Sequence, residues 1–415
     1  MTRRSSISQS IETVRSVVRF GGIETDAVER RLKRAASVED LRRIAKRRLP
    51  RGCFDYIDGG AEDERTLVAN SAAFTSTRFV PRVLRGLPDV KVDSTVLGLP
   101  TTLPLVLAPT GFTRIADPEG ELSVARAAER AGIPYTLSTL STRSIEEVRE
   151  VSSGRLWFQV YAWRDRSLVK EMIERAHAAR YEALVLTVDT AVFGRRERDV
   201  RRGFSLPPVI GPSTVIDGAL HPAWTLAFIR SEPIRFANVI GGTVGDGSSP
   251  VTLSDYINSQ FDPALSWDDI DWLRSVWDGK VVVKGIQSVA DAEIAAEMGV
   301  DAIVLSNHGG RQLDDSPATL SLVAPVAQAV GGRTEIICDG GVRRGSDIVK
   351  AVAAGATAAM AGRAYLYALG AAGERGVDRL LEWWREDMRR TMSLIGAASI
   401  DDLGPEFLDL SSVAP

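Results

Sequence analysis

The stretch VVVKGIQSVADAEIAAEMGVDAIVLSNHGG, residues 281–310, decides the fold because it reads as a strand, a helix and a second strand. VVVKG (281–285) and AIVLSNHGG (302–310) are short apolar runs that end in polar residues and glycine. Between them, DAEIAAEMG has a helical pattern. Continuous apolar strands that alternate with helices are typical of a parallel sheet covered by helices.

The same unit recurs along the chain from residue 105 onward. The other six apolar runs are LVLAPTG (105–111), YTLST (135–139), WFQVY (157–161), ALVLTVD (183–189), EIICDGG (335–341) and TAAMAGR (357–363). Eight strand-and-helix units predict a closed TIM (β/α)8 barrel of the α/β class. The alternative is an open doubly wound sheet, but no GxGxxG follows the first strand and the number eight favours closure.

The chain before the first barrel strand divides into two parts. Residues 1–36 are polar and rich in arginine, which predicts an N-terminal arm that is either flexible or a helix docked elsewhere. Residues 37–415 are predicted to form a single barrel domain. Ser37 is a candidate N-cap for a helix over LRRIAKRRLP that ends at Pro50, and a second helix is expected over about residues 51–58.

A long insertion separates the fourth and fifth barrel strands, over about residues 200–265. Loops of this length are usually functional or disordered. Its segment HPAWTLAFIR places Trp224, Leu226, Phe228 and Ile229 among few charges. These side chains are expected either to form a patch that contacts lipid or a partner subunit, or to pack against the barrel itself.

The composition excludes several classes of protein. With 415 residues and a net charge of −3, the chain is long enough for one large domain and has no overall basic field for nucleic acid. Cys53 and Cys338 are far apart and have no CxxC neighbour, so neither a disulfide framework nor a zinc site is predicted. No 18-residue apolar run and no secretory signal pattern is present. We expect a cytoplasmic protein without a bound metal.

The ends of the predicted strands carry the chemistry, because the loops that follow them meet at one face of a barrel. His308 is one of three histidines, and it is the one that follows a strand directly. Nearly every strand end delivers a hydrogen-bonding or ionisable group. These residues are Pro109, Thr110, Gly111, Ser138, Gln159, Tyr161, Thr187, Asp189, Lys284, His308, Arg311, Asp339, Gly340, Gly341, Gly362 and Arg363.

The last two strands predict a phosphate site. DGGVRRG and AGRA combine glycines, which let the backbone approach an anion, with the cations Arg343 and Arg363. Ser138, Gln159, Thr187 and Lys284 would line the barrel mouth with donors and one fixed cation. Such a lining suits a flat heterocycle that gains negative charge, and with a phosphate this describes FMN.

A family resemblance rests on YIDGGAEDE, LAPTG, QVY, LTVDT, GRRERD, VVKG, SNHGGRQLD and DGGVRRG, which follow one another along the chain. Together they resemble the FMN-dependent α-hydroxy-acid oxidoreductases, a family that includes quinone-dependent L-lactate dehydrogenase, glycolate oxidase, lactate oxidase and mandelate dehydrogenase. The resemblance covers about residue 38 to the C-terminus. It implies that the residues holding FMN are Pro109, Thr110, Gly111, Ser138, Gln159, Thr187, Lys284, Ser306, Asp339, Gly340, Gly341, Arg343, Gly362 and Arg363.

The resemblance also implies the catalytic roles. His308 would remove a proton from the 2-hydroxy acid, and Asp189 would stabilise the imidazolium. Arg311 and the Tyr56 hydroxyl would bind the substrate carboxylate.

Three further roles follow in the same way. Tyr161 would hydrogen-bond the substrate oxygen, and Arg196 would be a second cation near the carboxylate or at the gate. Arg195 is adjacent, so which of the two arginines points inward stays open. Lys284 would stabilise the anionic reduced flavin.

The substrate and the electron acceptor are less constrained. Gly111, Phe112 and Leu140 are expected to set the pocket size, and Leu140 favours L-lactate whereas Gly111 leaves room for mandelate-like acids. The insertion resembles that of membrane-associated dehydrogenases, which favours a quinone acceptor and peripheral contact at the inner face of the cell membrane; oxygen is the alternative. A homotetramer is expected, because tetramers are common among similar proteins.

Two other functional classes fit parts of the pattern. A lyase or aldolase could use Lys284 as a Schiff-base nucleophile. A non-catalytic protein that binds a phosphorylated ligand could keep DGGVRRG, but it would not need Asp189, His308 and Arg311 together.

Overall fold

The structure is a computed structural model that describes residues 24–202, 211–239 and 259–409. Eight parallel strands pair in chain order, and the eighth pairs with the first, so the predicted closed barrel is confirmed. The strands are β1 Leu105–Leu107, β2 Tyr135–Ser138, β3 Leu156–Tyr161, β4 Ala183–Thr187, β5 Lys280–Ile286, β6 Ala302–Leu305, β7 Glu335–Asp339 and β8 Ala358–Ala361.

Several strands are shorter than the apolar runs that predicted them. β1 ends at Leu107, and β6 ends at Leu305, before the SNHGG segment. The reason for the early end of β6 is local backbone conformation, since His308 and Gly309 have φ of 57° and 66°. A strand cannot continue through left-handed residues, so His308 and Arg311 lie in the loop that follows β6.

Helices surround the barrel and also precede it. They are α1 Ala27–Leu32, α2 Val38–Arg48, α3 Arg51–Asp58, α4 Arg65–Ser76, α5 Glu121–Ala131, α6 Ile145–Val151, α7 Arg166–Ala178, α8 Glu197–Arg202, α9 Pro212–Leu220, α10 Pro222–Arg230, α11 Asp268–Val276, α12 Val289–Glu297, α13 Thr319–Val330, α14 Gly345–Ala353, α15 Arg363–Ala372 and α16 Glu374–Ile395. Short 3₁₀ turns span Thr113–Ile115, Ile400–Asp402 and Pro405–Phe407.

The barrel separates two apolar layers because side chains alternate along each strand. Leu105 and Leu107 belong to the layer between strands and helices, whereas Val106 belongs to the cluster inside the barrel. A two-stranded hairpin, Ser94–Val96 with Leu99–Thr101, closes the N-terminal end, where the N–H of Leu97 donates to Glu335 at 2.8 Å. The interior is therefore packed below, and the open end is the one at which the strands finish.

The segment before the barrel packs on its last helices. Ser37 caps α2 by accepting a hydrogen bond from the N–H of Asp40, as the sequence predicts. α1 packs on α15 and α16, and Arg375 forms ion pairs with Asp26 and Glu29. Residues 1–23 of the predicted arm lie outside the described residues.

The described part of the insertion contains α8 and a helical hairpin made of α9 and α10. Of the two arrangements expected for this segment, packing against the barrel describes Trp224, whose Nε1 donates to the carbonyl oxygen of Ile115 at 2.9 Å and whose ring packs against the core. Leu226, Phe228 and Ile229 are exposed. Among the described helices, none is long and apolar enough to cross a membrane.

Candidate active site

A cavity of about 440 Å³ opens at the C-terminal ends of the strands. It is lined by the site residues proposed from the sequence, except for Phe112 and for the two residues Asp189 and Ser306. These two lie directly behind the wall, where Asp189 contacts His308 and Ser306 contacts Lys284. The barrel therefore brings the separate strand ends together into one site.

His308 and Asp189 form a buried pair beside this cavity. Nδ1 of His308 lies 2.9 Å from Oδ1 of Asp189, whose side chain is only 1% exposed. Burial lowers the pKa of His308 below its ordinary value, although the Asp189 carboxylate opposes this. Burial would raise the pKa of Asp189, but the charges of His308 and Lys284 outweigh it and hold that pKa low. The arrangement favours a neutral imidazole with Nε2 left to accept a proton.

Arg311 and Arg196 both lie close to the Tyr56 ring. Their Cζ atoms are 5.1 and 5.9 Å from its centroid. Nη1 of Arg311 donates to the carbonyl oxygens of Tyr56 and Gly59, at 2.7 and 3.0 Å. Arg195 is exposed whereas Arg196 is partly buried, so Arg196 is the arginine that points inward.

The charges of these cations are compensated only in part, by the carboxyl group of Asp199. Burial lowers the pKa of Arg311 to about 9, and the neighbouring charges of Arg196 and Arg363 add to the effect. Nε of Arg196 is buried and has no hydrogen-bond partner among the described residues. A carboxylate bound here would satisfy these donors and relieve the repulsion.

The floor of the cavity contains a fixed cation. Lys284 is 4% exposed, and its Nζ donates to Oγ of Ser306 at 2.9 Å and lies 3.4 Å from Oδ2 of Asp339. The same Oδ2 accepts a hydrogen bond from Ser306 at 2.7 Å. Lys284 is therefore held in an ion pair, which is unlike the uncharged amine that a Schiff base requires.

Two buried donors beside Lys284 have no partner among the described residues. They are Nε2 of Gln159 and Oγ1 of Thr187. The opposite atom of the amide, Oε1 of Gln159, accepts from Oγ of Ser138 and the N–H of Thr139, which fixes the orientation of the side chain. Buried polar groups without partners are rare, so these donors fit a heterocycle with carbonyl oxygens and ring nitrogens such as the flavin of FMN.

The far end of the cavity fits a phosphate. Gly340 and Gly341 have φ of 102° and 88°, and a Cβ on Gly341 would lie 2.3 Å from the carbonyl oxygen of Asn70. Arg343 and Arg363 also line this end. Only glycine permits this backbone, which brings the chain close to the position of the anion.

Arg363 has a second role that its sequence position does not indicate. Its guanidinium donates to the carbonyl oxygens of Ile57, Gly309 and Gly59, at 3.1, 2.8 and 2.7 Å. It therefore links the end of β8 to α3 and to the His308 loop.

Pocket size near the substrate is set by close contacts. A Cβ added at Gly111 would lie 3.1 Å from Cβ of Leu140, so the absence of a side chain there matters. The Phe112 ring packs against Phe236 at 5.4 Å and against Tyr56 at 6.3 Å between centroids.

Sequence reasoning missed several lining residues: Phe193, Asp199, Val200, Phe236 and Gln312. Asp199 and Gln312 lie within the motifs GRRERD and SNHGGRQLD, so these motifs could have identified them. Nε2 of Gln312 donates to the carbonyl oxygens of Asp189 and Val192, tying the two catalytic loops together. Phe236 lies in the insertion, and nothing in its local sequence distinguishes it.

The chain is similar to known proteins in both sequence and structure. The model of the FMN-dependent dehydrogenase family matches residues 45–410. A protein provisionally named L-lactate dehydrogenase from Mycobacterium tuberculosis is 45% identical over 404 residues, 96% of each chain. (S)-Mandelate dehydrogenase from Pseudomonas putida is 40% identical over 377 residues, covering 91% of this chain and 94% of that protein. A crystal structure described as the monotopic membrane protein (S)-mandelate dehydrogenase has a TM-score of 0.85 at 40% identity and covers 90% of this chain and 98% of that one.

Proposed function

The chain belongs to the FMN-dependent dehydrogenase family, and from this premise we propose that it oxidises a small L-2-hydroxy acid, L-lactate to pyruvate, and passes the electrons to a quinone. The observation that carries the proposal is the His308–Asp189 pair, which lies beside the guanidinium groups of Arg311 and Arg196 in a cavity that fits FMN. A base and a carboxylate site close together are what a 2-hydroxy acid requires.

The base is His308. Its Nδ1 contacts Asp189, so Nε2 is the atom that would accept the proton of the substrate hydroxyl. Because burial lowers its pKa, the imidazole is neutral and ready at pH 7. Asp189 then stabilises the imidazolium, as a buried carboxylate 2.9 Å away must.

The carboxylate of the substrate is held by Arg311 with Arg196. Nη1 of Arg311 donates to two backbone carbonyl oxygens. Among the described residues, the opposite edge of the guanidinium group is left available to the ligand. The hydroxyl groups of Tyr161 and Tyr56 would donate hydrogen bonds to the substrate, and Tyr161 is buried at the cavity wall. Burial raises the pKa of Tyr161 well above its usual value, so it stays a donor.

FMN, when bound, supplies the acceptor for the two electrons that leave the substrate carbon. Gln159, Thr187 and Lys284 would hold its ring, and Arg343 and Arg363 would hold its phosphate. The Lys284 ammonium is fixed before reaction and stabilises negative charge that arises nearby without having to reorganise.

A quinone acceptor and peripheral membrane contact are supported by the helical hairpin of the insertion. Leu226 and Ile229 on α10, with Val215, Ile216 and Leu220 on α9, are 49–72% exposed. Exposed apolar helices of this kind bind the membrane interface without spanning it. The related (S)-mandelate dehydrogenase is described as a monotopic membrane protein.

A mandelate-type substrate is a second candidate, favoured by the aromatic lining. Phe193 and Phe236 line the cavity together with Leu140 and could accommodate a phenyl ring, and Phe112 packs against Phe236. Related structures include mandelate oxidase at 38% identity and a TM-score of 0.77.

The test is anaerobic reduction of the purified yellow protein. L-Lactate should bleach the flavin, and (S)-mandelate and glycolate serve as competing substrates whose rates rank the pocket. The reduced protein is then mixed separately with a soluble quinone and with oxygen. If no L-2-hydroxy acid bleaches the flavin, the proposal is rejected. If oxygen reoxidises the reduced flavin faster than the quinone does, the protein is an oxidase and not a quinone-dependent dehydrogenase.

A further inference from the structure

The insertion contacts the helix that carries Tyr56. Oδ2 of Asp217, on α9, accepts a hydrogen bond from the backbone N–H of Arg51, the first residue of α3, at 2.7 Å. The N-cap position of α3 is Pro50, which makes no side-chain capping bond. A distant part of the sequence therefore supplies the cap that the local sequence lacks.

The backbone of Asp217 is held by its own hairpin. Nδ1 of His221 lies 2.7 Å from the carbonyl oxygen of Asp217 and 3.4 Å from its Oδ1. Separately, Oγ1 of Thr225 donates to the carbonyl oxygen of Gly218 at 2.7 Å, a bond between α10 and α9 that does not involve the Asp217 side chain. The side chain of Asp217 is 19% exposed, so it points inward from the hairpin rather than into solvent.

The other end of α3 supports both guanidinium groups of the site. The carbonyl oxygens of Tyr56 and Gly59 accept from Arg311, and those of Ile57 and Gly59 accept from Arg363. α3 has eight residues, so its two ends are about two turns apart. Fraying at its first turn would loosen the Tyr56 ring and the Arg311 fork together.

We propose that Asp217 is a positioning residue for the substrate carboxylate site, acting through α3. A carboxylate at a helix N-terminus satisfies an unpaired N–H and interacts favourably with the helix dipole. Through Asp217, the hairpin with the exposed apolar side chains is coupled to Tyr56 and Arg311. A change in how that hairpin packs against α3 is therefore expected to change the affinity for substrate. The kinetic consequence rests on the proposed function, whereas the structural coupling does not.

The experiment compares D217A, D217N and T225A in the full-length, FMN-loaded protein. Asparagine is as good an N-cap as aspartate, so D217N should behave like the wild type. T225A removes a hydrogen bond inside the hairpin without touching α3 and is the matched control. Hydrogen–deuterium exchange of peptides covering residues 51–58 should accelerate in D217A alone.

Stopped-flow reduction by L-lactate provides the functional measurement. D217A should raise the apparent substrate dissociation constant roughly fivefold, with little change in the limiting rate or in FMN content, because a lost cap weakens α3 without removing a catalytic group. Rescue by D217N separates capping from general damage to the hairpin.

Three results would overturn the inference: unchanged exchange and affinity in D217A, an equal defect in T225A, or a D217N variant as impaired as D217A. Failure of the proposed function looks different, because the wild type itself would then not be reduced by L-lactate. The exchange measurement would still decide whether Asp217 holds α3.

Discussion

At the scale of single residues, the proposed base His308 is the first to test. Its imidazole is positioned by Asp189 at 2.9 Å and by a backbone in the left-handed region. We predict that H308Q lowers the rate of flavin reduction by L-lactate roughly 10²- to 10⁴-fold, the range for a positioned acid–base group, while FMN stays bound. Stopped-flow absorbance measures both quantities.

A matched control for this variant exists in the same chain. His177 lies on α7, is 59% exposed and contacts Asp278 at the surface. H177Q should reduce its flavin like the wild type. If H308Q also does so, another group is the base.

The pH dependence follows from the environment of His308. Burial lowers its pKa below 6.5, and only the neutral imidazole accepts a proton. The value of kcat/KM for L-lactate should therefore be constant at neutral pH and fall as the pH drops through a value below 6.5. In D189N the acid limb should move to still lower pH, because the carboxylate favours the charged form. An acid limb above pH 6.5 in the wild type would contradict the assignment.

Arg311 tests how the substrate carboxylate is held. R311K keeps one positive charge but loses the planar fork and the contacts to the carbonyls of Tyr56 and Gly59. We expect a roughly tenfold or greater rise in the apparent dissociation constant for L-lactate, with a lower reduction rate. R196K is the comparison, since Arg196 also lies close to the Tyr56 ring. A larger defect in R196K than in R311K would transfer the main carboxylate contact to Arg196.

At the scale of elements, the hairpin of α9 and α10 combines the two arrangements that the sequence left open. Trp224 faces the barrel, so the candidate membrane surface consists of Leu226, Phe228 and Ile229 together with the apolar side chains of α9. Deleting the hairpin would also remove Trp224, and a deletion that starts at residue 218 leaves Asp217 without the side chains that hold it. Substitution at the surface is therefore the cleaner test.

We predict that the triple variant L226S/F228S/I229S no longer sediments with anionic liposomes. Each large apolar side chain that is buried in the interface contributes roughly 1.5–3 kcal/mol, so three are enough to support reversible binding. The double variant V83S/L84S changes side chains that are at least as exposed but lie before the barrel, and it should bind like the wild type. Equal binding by both variants would mean that the hairpin is not the membrane contact.

At the scale of the whole molecule, the cofactor should contribute to the stability of the barrel. The cavity that fits FMN contains buried donors and glycine-rich loops from several strands. FMN that binds the folded chain and not the unfolded chain stabilises it in proportion to the logarithm of its concentration. Acid precipitation should release about one FMN per chain, since no covalent link is expected, and removal of FMN should lower Tm.

Release of FAD instead of FMN, or a Tm that FMN does not change, would contradict this assignment. The homotetramer stays a prediction. Light scattering of the purified protein after size-exclusion chromatography would test it, and a monomer would rule it out.

The sequence by itself determined the architecture and most of the site. Eight apolar runs at strand length favour a parallel barrel over an open sheet, and the ends of the barrel strands converge. Residues at or just after the strand ends, such as Asp189, Lys284 and His308, could therefore be assigned to one site from the sequence. Their positions depend on the local sequence and on the common direction of the eight parallel strands.

Only the tertiary structure decided what depends on contacts between distant segments. In the structure, Trp224 packs against the barrel, Arg196 rather than Arg195 points inward, and Phe236 lies at the cavity wall. The tertiary structure also placed Asp217 at the N-terminus of α3, across 166 residues of sequence. The physical reason is that side-chain direction in an insertion is set by the surface against which it packs, and periodicity within a segment carries no information about that surface.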